Sequence, residues 1–313
     1  MKKALTFLCS IALVVGFQLT TTAQQTTDVR LQLGFLIDGS GSIQSSDFTT
    51  VRNALSTVLG DETLVPRDGS VEVTVVQFSD NQAAIEVRPT VLTDSTITSI
   101  QQSIQSISQG GGGTPLWDGI DQITSLMTGS ANFTTADRQT INIATDGQPQ
   151  VPVQSIGSGE GERRSIDARD RAIAAGIDEI DAEGVGQAIS DSNFRDFLIN
   201  LVWPQPGVLL NNGDLSNRFQ PGFVTLVTEF ADFETAVRDK VEAILGSVGL
   251  NNGNGNGDNG GQPNPRNNNT APGSDGRSIP FDSPLSVTML AGVFGALLIA
   301  MRFRNRFGLH FLE

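Results

Sequence analysis

Reactive side chains are almost absent from this 313-residue sequence, which has no tyrosine, one cysteine and one histidine. Cys9 lies in an apolar run near the N-terminus, and His310 lies close to the C-terminus. The body of the chain therefore offers no disulfide framework, no Cys/His zinc site and no Ser-His or Cys-His nucleophile pair. Carboxylates, hydroxyls and backbone groups remain as the chemistry available to the protein.

Basic residues are also scarce. Lysine occurs only at Lys2, Lys3 and Lys240, so the sequence contains no phosphate-binding loop that ends in Gly-Lys-Ser/Thr. The 34 acidic residues outnumber the 20 lysines and arginines, which gives a formal net charge of -14. Because this charge would repel a phosphate backbone, we expect no nucleic-acid partner.

Residues 1–23 have the order of a secretory signal peptide. Two lysines precede an apolar stretch that runs from Ala4 to Phe17. Thr21-Thr22-Ala23 then supplies the small residues of a cleavage site. We expect export of the protein, with cleavage after Ala23.

The C-terminal part of the sequence predicts a tether followed by a membrane anchor. Residues 249–280 are rich in Asn and Gly and contain too little apolar surface to fold. Residues 285–301 are apolar and at the short limit for crossing a bilayer, either as a transmembrane or as a sorting helix. Residues 302–313 carry arginines, which predict a cytoplasmic tail. The central domain is then expected outside the inner membrane, at the cell envelope or surface.

The same tail resembles the PEP-CTERM-type sorting signals of bacterial exported proteins. The resemblance rests on Ile279-Pro280-Phe281-Asp282, on the short apolar span and on the arginine cluster. This chain lacks Pro-Glu-Pro and continues past the arginines to Glu313. The resemblance implies a sorted and processed tail, and a plain membrane anchor is the alternative.

Strand-like apolar runs alternate with helical patterns across residues 28–248. This alternation is typical of βαβ units, so we predict an open, doubly wound, mostly parallel α/β sheet flanked by helices, similar to a Rossmann fold. The acidic stretch 177–185 predicts a polar strand near a sheet edge, with its acids either solvated or forming a second cation site. Residues 147–164 predict a long irregular segment that is available to a partner.

Three loops of this domain carry oxygen ligands. One strand runs into Asp38-Gly39-Ser40-Gly41-Ser42, a glycine run leads to Thr114, and a later strand runs into Asp146. Loops at the carboxyl ends of parallel strands meet at one edge of the sheet. Two carboxylates and three hydroxyls suit a hard divalent cation, with Mg²⁺ preferred and Mn²⁺ or Ca²⁺ as alternatives. The predicted metal ligands are Asp38, Ser40, Ser42, Thr114 and Asp146.

Asp38-x-Ser40-x-Ser42, the threonine after the glycines and Thr145-Asp146-Gly147 resemble the metal-ion-dependent adhesion site of von Willebrand factor A (VWA) and integrin I domains. The resemblance implies a VWA fold across residues 28–245. It also implies that the two serines bind the metal directly and that Thr114 does so when a ligand is engaged. Asp38 and Asp146 would act largely through bound water, and a carboxylate of a protein or other extracellular ligand would complete the shell.

These patterns predict adhesion or recognition, not catalysis. A phosphatase would need a second acid at position 40, which is serine, and the sequence near Asp38 has no basic group that would bind phosphate. The alternative function is a cell-envelope scaffold that uses the metal site to assemble with one fixed partner. The residues expected to shape the partner surface beside the metal are Gly113, Pro115, Trp117 and Gly147.

Overall fold

The structure is a computed structural model that describes residues 28–211 and 222–250, all within one structural unit. The described strands are β1 (Leu31–Asp38), β2 (Asp68–Ser79), β3 (Gln82–Thr93), β4 (Arg138–Thr145), β5 (Glu179–Val185), β6 (Val208–Asn211) and β7 (Phe223–Val227). The described α-helices are α1 (Ser45–Gly60), α2 (Ile97–Gln105), α3 (Leu116–Thr128), α4 (Ser158–Ala175), α5 (Ser192–Leu201) and α6 (Phe233–Ser247).

Four predictions lie outside the described residues. They are the signal peptide (1–23), almost all of the tether (249–280), the apolar span (285–301) and the basic tail (302–313). Among the residues that the structure describes, no helix has both the length and the apolar character needed to cross a membrane.

The described strands form one sheet in the order β3-β2-β1-β4-β5-β7-β6. Every neighbouring pair is parallel except β2 and β3, which form an antiparallel hairpin. This arrangement confirms the predicted mostly parallel α/β fold. In the register of β1 and β4, Ile37 lies beside Ala144, so the loops after these two strands leave the sheet side by side.

Helices cover both faces of the sheet. Leu33 and Phe35 of β1 belong to the core formed with α1, α2 and α6, whereas Leu36 points to the opposite core with α3, α4 and α5. Helix α3 packs tightly against β1 at Gly34, where an added Cβ would lie 2.8 Å from the Met127 sulfur. Burial on both faces explains why β1 is an almost continuous apolar run in the sequence.

The acidic strand β5 is not near an edge. It lies between β4 and β7 and all of its residues are buried, so the prediction of a polar, near-edge strand with solvated acids is wrong. The alternative of a second cation site is not supported either, because the described residues contain no group of three His, Cys, Asp or Glu side chains suited to a metal ion.

Helix α6 supplies the cation that this buried acidic strand requires. Lys240 is fully buried, and its Nζ lies 2.7 Å from Glu183 Oε1 and 2.7 Å from Asn142 Oδ1. Burial raises the pKa of Glu183, and the charge of Lys240 opposes that rise. Burial and the charge of Glu179 raise the pKa of Asp181 well above its ordinary value. The ion pair between Lys240 and Glu183 therefore connects α6 to the middle of the sheet.

Two further elements differ from the sequence predictions. Helix α4 begins at Ser158, so only the first part of the segment 147–164 is irregular. Strand β6, which the sequence patterns did not predict, is a four-residue strand at the sheet edge. Glycine and serine at the start of α4 and the shortness of β6 explain why neither had a clear periodic signal.

The ends of the described domain meet at the amino edge of the sheet. The Arg30 guanidinium, just before β1, donates to the Val248 carbonyl, just after α6. The Arg138 guanidinium, at the start of β4, donates to Ser247 Oγ at 2.8 Å and to Glu179 at 3.2 Å. The chain therefore enters and leaves the domain at the edge opposite the loops that follow β1 and β4.

Replacing Lys240 by Met is expected to lower the free energy of unfolding by about 3–5 kcal/mol, because Glu183 would lose its buried cation. The double variant Lys240→Met/Glu183→Leu should recover most of this loss, since it removes both charges. Urea denaturation of both variants tests the ion pair. Arg171→Met is the matched control, because its ion pair with Asp121 is exposed and should contribute less than about 1 kcal/mol. Equal losses in Lys240→Met and Arg171→Met would contradict the prediction.

Candidate metal centre

The first carboxylate of the site is held at the end of β1. Asp38 is buried, with Oδ1 accepting a hydrogen bond from the Ser40 backbone N–H at 2.8 Å. Its Oδ2 accepts from the hydroxyl of Thr145 at 2.7 Å, across the β1–β4 pair. Both oxygens are engaged by the protein, so the orientation of Asp38 is set by these two donors.

The two serines connect Asp38 to the second carboxylate. Ser40 Oγ lies 2.9 Å from Ser42 Oγ, and the Ser42 hydroxyl donates to Asp146 Oδ1 at 2.7 Å. Ser40 and Ser42 lie in the turn that follows β1, and this turn brings their hydroxyls into contact. The structure therefore brings four of the five predicted ligands into one hydrogen-bonded chain.

The glycine loop before Thr114 pairs with the loop after β1. The Gly41 N–H donates to the Gly112 carbonyl at 3.0 Å, and the Gly111 N–H donates to the Gly39 carbonyl at 2.8 Å. Gly111 and Gly112 have positive φ values of 72° and 67°, which glycine adopts readily and other residues rarely do. This pairing joins the glycine loop, which leads to Thr114, to the loop that carries Ser40 and Ser42.

Thr114 itself is buried and held by its backbone. Its N–H donates to the Gln150 carbonyl at 2.6 Å, and the Gln150 N–H donates back at 3.1 Å. Among the hydrogen bonds of the described residues, the Thr114 hydroxyl does not join the chain formed by the serines and carboxylates. Thr114 is therefore placed by the fold and not by contact with the other predicted ligands.

Four residues that the sequence did not predict as ligands support the site. Thr145 orients Asp38, and Gln150 holds Thr114. Gln109 Nε2 donates to the carbonyls of Ser40 and Ile43 at 2.9 and 2.8 Å. Gln77 Oε1 accepts from the Gly110 N–H at 2.8 Å. The position of Thr145 at the end of a strand, next to Asp146, could have indicated its role. The three glutamines contact the site through backbone groups of distant loops or through their own backbone, and no motif in the sequence indicates such contacts.

Gly39 is required by close packing. Its φ is not in the left-handed region, but an added Cβ would collide with the side-chain amide of Gln77. This collision explains why glycine stands between Asp38 and Ser40.

The site concentrates negative charge. None of the ion pairs among the described residues includes Asp38 or Asp146. Burial and the charge of Asp146 raise the pKa of Asp38 from its ordinary value of 3.8 to about 7. Burial also raises the pKa of Asp146, and the charge of Asp47 makes a smaller contribution in the same direction. Two partly desolvated carboxylates therefore lie together without a protein cation.

This donor set fits a hard divalent cation. A cation beside the carboxylates would remove the electrostatic cost that raises the pKa of Asp38, and hydroxyl and carboxylate oxygens are the ligands such ions prefer. Because the set contains only two carboxylates, the serine and threonine hydroxyls would be needed to complete the coordination shell of the cation.

The residues predicted to shape a partner surface differ in exposure. Gly113 and Pro115 are buried, whereas Trp117 and Gly147 are partly exposed. The Arg164 guanidinium lies 5.5 Å from the centre of the Trp117 ring, and Glu160 binds the same arginine. Trp117 is thus stacked under an arginine of α4 and is only partly available to a partner.

Comparison with solved structures finds several that are similar to this chain. Proximal thread matrix protein 1 from the mussel byssus is 16% identical, with 69% of this chain and 48% of that chain covered and a TM-score of 0.48. The pilus adhesin SpaC from Lactobacillus rhamnosus GG is 14% identical, with coverages of 71% and 31% and a TM-score of 0.52. The vWF domain of the type V pili tip protein Mfa5 from Porphyromonas gingivalis is 11% identical, with coverages of 71% and 97% and a TM-score of 0.50.

This chain thus spans less than half of the mussel protein and about a third of SpaC. No curated protein sequence matches the chain. A profile of the von Willebrand factor type A domain matches residues 32–197, which is just over half of the sequence. With that match, and with a mostly parallel sheet flanked by helices, the chain belongs to the von Willebrand factor type A domain family.

Proposed function

We propose that this VWA domain is exported and membrane-tethered, and that it binds a divalent cation through which it grips a carboxylate on a partner. Mg²⁺ is the preferred cation, with Mn²⁺ or Ca²⁺ as alternatives, and the role is binding and not catalysis. The observation that carries the proposal is the chain of hydrogen bonds from Asp38 through Ser40 and Ser42 to Asp146. It holds two carboxylates that have no partner cation among the described residues.

Each residue has a distinct part in this proposal. Ser40 and Ser42 would hold the cation through their hydroxyl oxygens, and Asp146 would supply charge beside them. Asp38 has both oxygens occupied by donors, which suits a role in orienting Ser40 and in providing charge through water. Thr114 would contribute its hydroxyl from the glycine loop. The cation supplies an electron-pair acceptor for the partner's carboxylate.

Two observations support display at a surface. The described chain begins and ends at the amino edge of the sheet, where Arg30 binds Val248, so the carboxyl edge with the candidate site is not covered by these chain ends. Two proteins with a similar fold, SpaC and Mfa5, are described as a pilus adhesin and a pilus tip protein, respectively. Their descriptions favour adhesion over the scaffold alternative.

Replacing Ser40 by Ala is expected to weaken Mn²⁺ or Mg²⁺ binding by about 10- to 100-fold, as one charge-assisted oxygen contact would be lost. Thr114→Ala should reduce the affinity of the free domain less, because its hydroxyl stands outside the hydrogen-bonded chain. Isothermal titration calorimetry with each cation measures both effects. Ser46→Ala, an exposed serine nearby on α1, is the control and should bind normally. No binding to the wild-type chain, or equal binding by Ser40→Ala and Ser46→Ala, would refute the metal site.

The stability of the metal-free domain should fall as pH rises from about 4 to about 7 and should level off above that range. Asp38 has a higher pKa in the folded chain, about 7, than its ordinary 3.8, so folding takes up a proton and ionisation at higher pH destabilises the fold. Asp38→Asn should reduce this fall and raise the melting temperature at pH 8 by several degrees. Saturating Mg²⁺ should do the same for the wild type, because cation binding to the folded state stabilises it.

Thermal unfolding of the wild type and Asp38→Asn, with EDTA or Mg²⁺ across this pH range, makes the comparison. Asp181 and Glu183 also have raised pKa values and will keep part of the pH dependence in both proteins. The informative quantity is therefore the difference in melting temperature between the wild type and Asp38→Asn at each pH. A difference that does not change with pH would show that Asp38 is not the group responsible.

The proposed topology predicts where reporters will function. A periplasmic reporter placed within residues 251–278 should be active, and a cytoplasmic reporter after Glu313 should be active, because arginines follow the apolar run. Protease added outside the inner membrane should cut the tether in the same cells. Protection of the tether would contradict export of the domain.

A further inference from the structure

Val153 is the most exposed large apolar side chain in the described residues. Its side chain is 75% exposed. Within the ranges that the structure describes, the only other exposed large apolar side chain is that of Leu209, at 39%. Leu209 lies on the edge strand β6, whereas Val153 lies in the loop that follows Asp146. A large apolar group is therefore exposed on the loop that begins at the candidate metal centre.

The turn that carries Val153, residues 151–156, is closed by its own backbone. The Val151 N–H donates to the Ile156 carbonyl at 2.9 Å, and the Ile156 N–H donates back at 3.1 Å. Val151 and Ile156 are both buried, so the base of the turn is anchored in the domain. Because the backbone of this turn is already ordered, binding of a partner at Val153 would cost the domain little additional conformational entropy.

This turn is attached directly to the segment that carries Thr114. Gln150, which precedes the turn, exchanges two backbone hydrogen bonds with Thr114. An added Cβ on Gly113 would lie 2.8 Å from the Gln150 carbonyl oxygen and 3.0 Å from Val151 Cα, so the two segments are in close contact. The turn that presents Val153 is therefore joined by backbone contacts to the segment that carries Thr114.

The charges around this surface disfavour a polyanionic partner. Asp38 and Asp146 lie at the site, Asp47 adds charge beside Asp146, and Asp80 is exposed beside the glycine loop. The arginines at the start of α4, Arg163 and Arg164, are both bound by Glu160. One cation would attract one carboxylate, while the surrounding acids would repel further negative charge.

We propose that the partner is a protein segment in which a single Asp or Glu is close to an aliphatic side chain. The carboxylate binds at the cation, and the aliphatic side chain packs on Val153. This inference rests on the proposed metal-dependent function and specifies the chemistry of its partner. An acidic polysaccharide has the carboxylate but lacks the aliphatic group and carries repeated charge.

The test uses the full chain purified in detergent and an array of short Gly/Ser peptides. Each peptide contains one Asp and one Leu, with the Leu placed one to four positions before or after the Asp. Control peptides replace Asp by Asn or Leu by Ser, and polygalacturonate represents the polyanion. Binding is measured with Mg²⁺ and with EDTA for the wild type, for Val153→Ser and for Leu209→Ser, the matched variant at the other exposed apolar residue.

With Mg²⁺, the wild type should bind the best Asp/Leu spacing about three- to tenfold more tightly than its Leu→Ser counterpart, as expected for burying part of one aliphatic side chain. Val153→Ser should lose this preference while its Mg²⁺ affinity, measured by calorimetry, remains unchanged. Leu209→Ser should keep the preference. Polygalacturonate should bind more weakly per carboxylate than the best peptide.

Failure of this inference and failure of the proposed function give different results. Peptide binding that persists with EDTA, or that is equal for Asp and Asn peptides, would overturn the metal-dependent grip itself. Metal-dependent binding of Asp peptides with no preference for Leu, or with a preference that survives in Val153→Ser, would overturn only the role of Val153. Preferred binding of polygalacturonate, or no peptide binding by a chain that binds Mg²⁺, would likewise overturn the proposed partner class.

Discussion

Parallel pairing of β1 with β4 is the constraint on which the candidate site depends. It places the ends of two strands that are 107 residues apart in sequence side by side, so that Thr145 donates to Asp38. The loop after each strand then contributes a carboxylate to the same edge, and Ser42 bridges to Asp146. A one-residue change in this register would turn Asp38 or Thr145 to the opposite face of the sheet and separate the pair.

The domain handles buried negative charge in two different ways. In the middle of the sheet, the carboxylate of Glu183 is matched by Lys240 of α6. At the carboxyl edge, Asp38 and Asp146 have hydrogen-bond donors but no partner cation among the described residues. Burial and the charge of Asp146 raise the pKa of Asp38 to about 7. The first arrangement is complete within the protein. The second is completed by an ion from solution in our proposal, and loops at a sheet edge leave room for that ion and a partner.

Backbone hydrogen bonds connect the loops of this edge into a single surface. The glycine loop pairs with the loop after β1, and Gln150 joins Thr114 to the turn that presents Val153. The position of Thr114 is therefore coupled to the same loop that displays the exposed apolar residue. In a recognition domain, this connection would let the cation and the apolar contact act on one partner with fixed spacing between them.

Local patterns determined the fold class and the candidate ligands, because alternating strand and helix periods and the spacing of Asp38, Ser40 and Ser42 are encoded in short segments. Tertiary structure alone decided the position of β5. A strand with several acids usually faces solvent, so its sequence favours an exposed position. Only the packing of α6 shows that Lys240 compensates the buried charge of Glu183. Tertiary structure also decided the roles of Gln77 and Gln109, because their amides bind backbone groups of loops 33 and 69 residues away. Contacts between distant segments depend on how strands and helices pack, and no local spacing encodes them.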